Sequence, residues 1–380
     1  MVGGNEMNQS IRTDIDRLRP FVEGHPLLAG LATHSRVEQP LYLTGGAVRD
    51  LLIGADITDY DLVAESGVAE LATGLAHDAL IHERFGTAEL VVDGIRIDIA
   101  TARRESYAHP GALPDVEPGG IEEDMGRRDF TINAMAVRLD EPETLIDPHG
   151  GEDDLRRGVL RVIHPGSFTD DPIRALRAAR YSARFGFDLD HGTAELLPGV
   201  DLGTVSHERV EHELRLAAAE ATGIDALRLI SSWGLVEVPG ERLELAAKAV
   251  SLLRSDTWRG RAERSVVVLE AAFGDSPELP VSQPSSPYAG VLLARGLRPA
   301  ELILNRARGA EWLDLYENEW SLVAPAISGD DLVAAGLPQG PAIGVGLAAV
   351  LRAKLDEGLS GIEAELQVAV AAAEASEQED

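Results

Sequence analysis

Cysteine is absent from this chain of 380 residues. Disulfide bridges, thiolate nucleophiles, iron–sulfur clusters and cysteine-ligated zinc are therefore excluded, and any metal ion has to be bound by carboxylates or histidines. The histidines show no metal-ligand spacing. Long apolar runs are missing too, since no segment approaches the roughly 20 apolar residues that span a bilayer. The N-terminus also lacks a basic and apolar leader, so we expect a cytoplasmic protein that does not enter membranes.

Lysine is nearly absent as well, because Lys248 and Lys354 are the only two among 34 basic residues. The positive charge is therefore almost wholly guanidinium, the group suited to planar, bidentate contacts with phosphates and base edges. A formal charge of −30 taken alone argues against a nucleic-acid partner, since phosphate binding draws on basic residues. Residues 156–184 run against this trend, with seven arginines and two aspartates. A basic surface there could bind nucleotides or RNA within an acidic protein.

Alternating strand and helix patterns fill the chain from residue 26 to 155, and helical patterns predominate from Arg156 onward. The sequence PLYLT predicts a short strand, Gly45 and Gly46 a turn, and AVRDLLIG the start of a helix. Two alternating runs on either side of Asp93-Gly94 predict a β-hairpin. The expected fold class is therefore α+β, with an α/β head whose sheet is mostly antiparallel or mixed, followed by all-α regions.

Two features mark the C-terminal helical region. Residues 276–287 concentrate proline and serine, which indicates an internal loop or a domain seam. A final helix is predicted to begin at Pro341 and to end at Gly358, since proline favours the first turn and glycine follows the last one. The last residues, EASEQED, are expected to form a solvated acidic tail.

Asp59 and Asp61 lie one residue apart in an extended stretch, which points both carboxylates to the same side. Two carboxylates so placed suit Mg²⁺, which is usually bound by one or two carboxylates together with substrate phosphates. Asp98 faces away from the isoleucine side of the second hairpin strand and could complete this catalytic set. Asp-x-Asp pairs also occur by chance on solvated strands and loops, so the pattern alone leaves both interpretations open.

The Gly45-Gly46 turn stands between a strand and a helix N-terminus. Glycines there let backbone N–H groups approach a phosphate, and the helix dipole favours the anion. Arg49, one turn further on, could pair with a triphosphate or could simply be a surface residue of the helix. These three residues are therefore candidates for nucleotide binding.

Arg174, Arg177, Arg180 and Arg184 recur at spacings that put them on one side of a helix through FTDDPIRALRAARYSARF. Cytosine and adenine each present an amino donor beside a ring-nitrogen acceptor, whereas uracil and guanine present the reverse order. Asp171 could accept from the amino group while Arg174 donates to the ring nitrogen, which would select C and A. The other arginines could then neutralise a triphosphate. Alternatively, the stripe is a solvated face paired with surface acids.

These motifs together resemble the class II tRNA nucleotidyltransferases, the CCA-adding enzymes, and the related bacterial poly(A) polymerases. GGAVRDLLIGADITDYDLV is similar to the family's first motif, with its metal-binding aspartates at Asp59 and Asp61. The resemblance continues through IDIATARRESY, EEDMGRRDFTINAMAV, DPHGGEDDL, FTDDPIRALRAARYSARFGF and SHERVEHEL, and it returns at residues 327–360. It implies that Arg128 contacts phosphate and that Asp129 lies near the ribose. Asn133 falls in the same block.

The resemblance implies an enzyme that adds C and A from CTP and ATP to the 3′ end of tRNA. It implies two Mg²⁺ ions on Asp59 and Asp61, and a template made of protein. The implied organisation is a lead-in at 1–25, a nucleotidyltransferase head at 26–155, a neck with the template helix at 156–220, a helical body and tail for tRNA binding at 221–370, and an acidic tail at 371–380.

Several alternatives stay open at this point. Residues 105–126 contain no arginine or lysine, whereas many relatives carry basic residues in this loop that help the switch from C to A. A partial enzyme that adds only CC or only A is therefore an alternative. Poly(A) polymerase is another, although the acidic C-terminus lacks a basic extension for holding generic RNA. A non-catalytic acidic mimic of nucleic acid would need neither the aspartates nor the clustered arginines. The oligomeric state is unknown from sequence.

Overall fold

The computed structural model of the protein describes residues 14–35, 39–57, 60–76, 79–82, 86–92 and 94–377. The chain divides into two units, Met1–Glu237 and Val238–Asp380, each with its own hydrophobic core. No helix in these described ranges combines the length and apolarity needed to cross a bilayer.

The strands lie in the first unit, and those of its large sheet are rich in β-branched and aliphatic residues. They are β1 (Leu41–Thr44), β2 (Tyr60–Ala64), β3 (Leu80–His82), β4 (Thr87–Val92), β5 (Ile95–Thr101), β6 (Arg103–Ser106), β7 (Asp115–Pro118), β8 (Ala136–Arg138), β9 (Leu145–Ile146), β10 (Val159–Leu160) and β11 (Asp188–Leu189). Within the described ranges, one sheet has the order β3-β4-β5-β2-β1-β8-β9, and β6-β7 and β10-β11 form two small ribbons. In the large sheet β2 and β5 run parallel, whereas the other neighbours are antiparallel. The predicted α+β class with a mixed sheet is confirmed.

Some helices of the first unit precede the strands of the large sheet or alternate with them, and the others follow the sheet in sequence. They are α1 (Leu18–Gly24), α2 (Pro26–Ala32), α3 (Gly46–Ile53), α4 (Val68–Leu75), α5 (Ile121–Gly126), α6 (Gly151–Arg157), α7 (Ser167–Asp170), α8 (Ile173–Phe185), α9 (His191–Ala194), α10 (His207–Ala219) and α11 (Gly223–Ser232). Residues 15–24 differ from the polar lead-in expected of residues 1–25. They form a short turn and α1, because Leu18 and Val22 lie one helical turn apart and are both buried in the core.

Strand register places the two faces of the sheet in different environments. Leu62 of β2 and its partner Ile99 of β5 are buried in the main core. Asp61 and Asp98 are partners one position earlier, so both belong to the opposite face. The hairpin around Gly94 is confirmed by the antiparallel pairing of β4 with β5. The sheet therefore presents two neighbouring carboxylates at positions that its core does not use.

The predicted template helix is interrupted where Pro172 follows Asp171. A residue before proline is disfavoured in the α conformation, and Asp171 is extended with φ of −137°. The segment therefore forms α7, then one extended residue, then α8. On α8, Arg180 is buried, and its guanidinium donates to Glu213 at 2.6 Å on α10 and to Glu220 at 2.9 Å. These ion pairs tie α8 to α10.

The regular elements of the second unit are all helices within its described residues. Its helices are α12 (Gly240–Leu252), α13 (Arg264–Phe273), α14 (Pro287–Ala294), α15 (Pro299–Ala307), α16 (Leu313–Asn318), α17 (Gly329–Ala334), α18 (Pro341–Glu357) and α19 (Ile362–Glu377). The proline-rich segment 276–287 lies within this unit as a loop, held in place by the buried Asn305, which bonds Leu279 and Pro277. The boundary between the two units falls instead after Glu237.

Helix α18 begins at Pro341 and is followed by Gly358 in the left-handed conformation, as predicted. The expectation that it is the final helix is wrong, because α19 follows it and includes most of the expected acidic tail. Small residues explain this second helix: Ala369 and Ala373 are fully buried against α18. Their packing outweighs the polar composition of the exposed side of α19.

Gly346 permits the close contact between α18 and α19, and we expect Gly346→Ala to destabilise the protein. A Cβ atom at this position would lie 2.8 Å from the carbonyl oxygen of Ala369, so the helices would have to separate. Overpacking of this kind typically costs about 1–3 kcal/mol. Urea denaturation of the full chain, combined with hydrogen exchange of the α18 and α19 amides, measures the effect.

Gly344→Ala is the matched control on the same helix. Nothing lies within 4 Å of a Cβ atom built there. Alanine should therefore stabilise α18 by roughly 0.5–1 kcal/mol, the usual gain over glycine inside a helix. Equal effects of the two substitutions would contradict the assigned packing.

Candidate functional site

A cleft of about 800 Å³ opens in the first unit, and most of the predicted site residues line it. They come from strands β2 and β5, from α3, from residues 128–133 after α5, and from α8 and the residue Asp171 before it. Those predicted residues are Gly46, Arg49, Asp61, Asp98, Arg128, Asp129, Asn133, Asp171, Arg174 and Arg177. Residues that are distant in sequence are thus brought to one surface.

Asp61 and Asp98 lie side by side on the strand face that lines the cleft. Asp98 is half exposed and accepts a long hydrogen bond of 3.4 Å from Arg96. Thr44 donates from its hydroxyl to the backbone carbonyl of Asp61 at 3.3 Å, which links β1 to this position. Asp59, the other predicted ligand, lies outside the described residues. Two hard oxygen donors on neighbouring strands fit a divalent cation that completes its shell with substrate phosphates.

The described residues contain no group of three or more histidine, aspartate or glutamate side chains placed to hold a metal. Asp59 is not among those residues, so this search covers Asp61 and Asp98 without it. The two described carboxylates are consistent with Mg²⁺, which dehydrates reluctantly and keeps several waters. A closed protein cage is therefore not required for the predicted site.

The glycine turn provides space for guanidinium groups. Gly45 has a φ of +68°, and a Cβ atom there would collide with Arg128 Nη1. Its N–H donates to the carbonyl of Met135 at 3.0 Å, so this amide is already used within the fold. Gly46 lines the cleft at the start of α3. Of the two predicted glycines, Gly46 is thus the one that a ligand can approach.

Arg49 is buried rather than a surface residue of α3. Its guanidinium donates to Asn133 Oδ1 and to Asp50 at 2.8 Å, and it stacks over the ring of Phe185 at 4.7 Å. Asn133 in turn donates to Asp129 at 3.0 Å. Arg49 therefore joins α3 to residues 129–133, and it also lines the cleft.

Asp129 is buried, and its carboxylate is fully used within the protein. One oxygen accepts from the N–H of Phe130 and from Asn133, and the other forms an ion pair with Arg177 at 2.7 Å. Burial would raise the pKa of Asp129, but the charge and hydrogen bonds of Arg177 and Asn133 outweigh it, so the pKa is lowered. The same pair raises the pKa of Arg177. Asp129 thus remains an anion that fixes Arg177 at the cleft.

Asp124 is a functional candidate that sequence reasoning missed. It is fully buried at the end of α5, and one carboxylate oxygen accepts from Arg127 at 2.7 Å. The other oxygen accepts from Arg128 at 3.1 Å. Arg128 also donates to Thr44 at 2.9 Å, the residue that bonds the Asp61 carbonyl. A single carboxylate therefore orients two neighbouring guanidinium groups that line the cleft.

Asp171 and Arg174, the predicted base-reading pair, both line the cleft but have different surroundings. Arg174 is only 5% exposed and donates to Ser167 at 2.8 Å and to the carbonyl of Arg127 at 2.7 Å. Asp171 accepts from Arg209 of α10 at 2.8 Å. Arg209 was not predicted as a site residue, although it lies in the SHERVEHEL motif.

Arg180 does not reach the cleft in this structure. It is buried in the ion pairs with Glu213 and Glu220, and it lies over the ring of Tyr181 at 4.7 Å. The spacing pattern put it beside Arg177 on α8, but the pattern could not show that α10 covers that part of the helix. The structure gives Arg180 a packing function between helices.

Residues 105–126, which include no arginine or lysine, contain the end of β6 and all of β7, and these two strands pair as a hairpin. Glu105 of β6 accepts from Arg127 at 3.2 Å and from the hydroxyl of Tyr107 at 2.9 Å. Burial, with the charge of Glu105 acting in the same direction against that of Arg174, raises the pKa of Tyr107 to about 12. Tyr107 is therefore protonated at neutral pH and donates to Glu105.

Comparison with known proteins agrees with this geometry. Residues 41–161 match the poly A polymerase head domain family. An A-adding tRNA nucleotidyltransferase of Aquifex aeolicus is 44% identical over 206 residues, which are 52% of this chain and 25% of that protein. A CC-adding tRNA nucleotidyltransferase of Deinococcus radiodurans is 34% identical over 347 residues, 84% of this chain and 86% of that protein. The structure of a CCA-adding enzyme with CTP is similar with a TM-score of 0.77 and 26% identity, and the match covers 94% of this chain and 98% of that one.

The extent of these matches differs between relatives. The chain spans between a quarter and about half of the length of three A-adding relatives. It covers 86% of the length of the CC-adding relative from Deinococcus radiodurans. The family resemblance read from the motifs is confirmed, and the chain belongs to the tRNA nucleotidyltransferase family.

Proposed function

We propose that this protein adds C, C and A to the 3′ end of tRNA, with CTP and ATP as substrates. The observation that carries this proposal is the convergence of Asp61, Asp98, Arg128, Asp171 and Arg174 on one cleft. The similarity to a CCA-adding enzyme with CTP supports it. The lining of the cleft holds six arginines and seven carboxylates, so phosphate binding would rely on individual guanidinium groups rather than on a net positive charge.

The reaction joins the RNA 3′ oxygen to the α-phosphorus of the nucleotide and releases pyrophosphate. Asp61, together with Asp59, would hold Mg²⁺. Such ions activate a hydroxyl and stabilise the charge on the leaving group. Arg128 and Arg127 are oriented by Asp124 and are placed to neutralise the triphosphate. Gly46 at the start of α3 leaves room for the phosphates to approach.

Selection of C and A rests on Asp171 and Arg174. A carboxylate accepts from the exocyclic amino group that both bases share, and a guanidinium donates to the adjacent ring nitrogen. Asp129 acts by holding Arg177 and Asn133, since its own oxygens are occupied. The helical residues after 220 would hold the tRNA.

Partial activity is the second candidate function. A-adding enzymes are among the relatives at 44% and 38% identity, and CC-adding enzymes among those at 34% and 39%. The loop 105–126 carries no basic residue for a switch from C to A. An enzyme restricted to CC or to A would use the same cleft.

Asp61→Ala is expected to abolish nucleotide incorporation without unfolding the protein. The substitution removes a proposed metal ligand on the cleft face, whereas the core face of β2 stays intact. Loss of several kcal/mol of charge stabilisation corresponds to a rate decrease of about 10³-fold or more. Asp59→Ala should behave alike, and Asp188→Ala, an exposed acid on β11, is the control. Near-normal incorporation by Asp61→Ala at saturating Mg²⁺ would refute the metal assignment.

The product on a tRNA that lacks its last three nucleotides is expected to be C, C and A, followed by arrest. One base-reading pair can accept both nucleotides, and a fixed helical region limits how far the 3′ end can advance. Incubation of tRNA ends carrying none, C or CC with CTP and ATP, resolved to single nucleotides, measures this. Arrest after CC, or activity only on CC ends, would establish a partial enzyme. Long A tails would indicate a poly(A) polymerase, and no extension would indicate a non-catalytic protein.

A further inference from the structure

Asp171 is held by a partner from a different helix. Arg209, near the start of α10, donates from Nη2 to Asp171 Oδ1 at 2.8 Å. The side chains are 32% and 19% exposed, and both residues line the cleft. The backbone N–H of Ile173 donates to the same oxygen at 3.2 Å. Within the described residues, every hydrogen bond recorded for this carboxylate therefore reaches Oδ1.

Two donors on one oxygen restrict how the carboxylate can rotate. The backbone N–H of Ile173 is fixed by the first turn of α8, and the guanidinium of Arg209 adds a charge-assisted bond, which is stronger than a neutral one. With Oδ1 engaged, Oδ2 is the oxygen left for a ligand.

An acceptor at this position distinguishes the bases. The amino groups of cytosine and adenine could donate to Oδ2, whereas the carbonyl oxygens of uracil and guanine would face it without a donor. If the carboxylate could turn or shift, a water could enter, or the two bases could be held in other poses. The orientation of Asp171 is therefore as important for selection as its charge.

We propose that Arg209 is a positioning residue that sets base selectivity by fixing the Asp171 carboxylate against the incoming base. This inference rests on the proposed function, because it assumes that Asp171 faces the base of a bound nucleotide. On this proposal, Arg209 acts through Asp171 rather than through a contact of its own with the base. The neck helix α10 thereby takes part in nucleotide selection through one ion pair.

Arg209→Ala tests this proposal, with two readouts on the full chain. Incorporation of each of the four nucleotides and equilibrium binding of CTP, ATP, UTP and GTP are compared with those of the unsubstituted protein. We expect the preference for C over U to fall about tenfold, since Asp171 loses its charge-assisted bond while the remaining cleft is unchanged. Arg209→Lys should restore part of the preference, because it keeps a donor and a charge.

Arg215→Ala is the matched control, since Arg215 lies on the same helix and pairs with Glu211 on an exposed surface. It should leave the preference unchanged. An equal loss for all four nucleotides in Arg209→Ala would overturn the proposal and indicate a structural role.

The binding readout separates the positioning role of Arg209 from the proposed enzymatic function. If the unsubstituted protein incorporates nothing, the proposed function fails, but a fall in its CTP preference on substitution would still support Arg209. Equal binding and equal incorporation of C and U by the unsubstituted protein would overturn both.

Discussion

Buried carboxylates that hold guanidinium groups are the interaction on which this site depends. Asp124 orients Arg127 and Arg128, and Asp129 orients Arg177. An arginine side chain has several rotatable bonds, so an unpaired one would lose much of its freedom on binding a phosphate. Because these arginine side chains are already paired with buried carboxylates, their conformational freedom is restricted before a ligand binds. The desolvation of each acid is offset by two or more charge-assisted bonds, and removal of one partner would leave a buried charge uncompensated.

This arrangement also keeps six arginines at a cleft whose lining includes seven carboxylates, in a protein that is acidic as a whole. The buried acids Asp124 and Asp129 neutralise part of the arginine charge, while Arg127, Arg128 and Arg177, which they hold, still line the cleft. Excess negative charge elsewhere on the surface acts at longer range and is screened within about 10 Å at moderate salt. The net charge of −30 therefore says little about the cleft.

The sequence was a good guide wherever the signal was local. The Gly45-Gly46 turn, the hairpin at Gly94 and the glycine that ends α18 depend on the conformation of one or two residues, and each was predictable. Pairings between distant residues were not. Arg209 lies 38 residues from Asp171, and Arg128 lies 84 residues from Thr44, so no spacing rule connects them. Arg180 is a different case. Its helical spacing correctly predicted that it lies on α8 near Arg177, but no local pattern showed that α10 covers it.

The scarcity of lysine has a consequence for covalent modification of the site. Both lysines lie in the second unit, at positions 248 and 354, and every basic side chain in the first unit apart from histidine is an arginine. Acyl groups and other electrophiles that react with amines find no target among the cations of the cleft, because a guanidinium stays protonated and is a poor nucleophile. Acetylation, a common way to remove positive charge from nucleic-acid-binding surfaces, has no lysine to act on here.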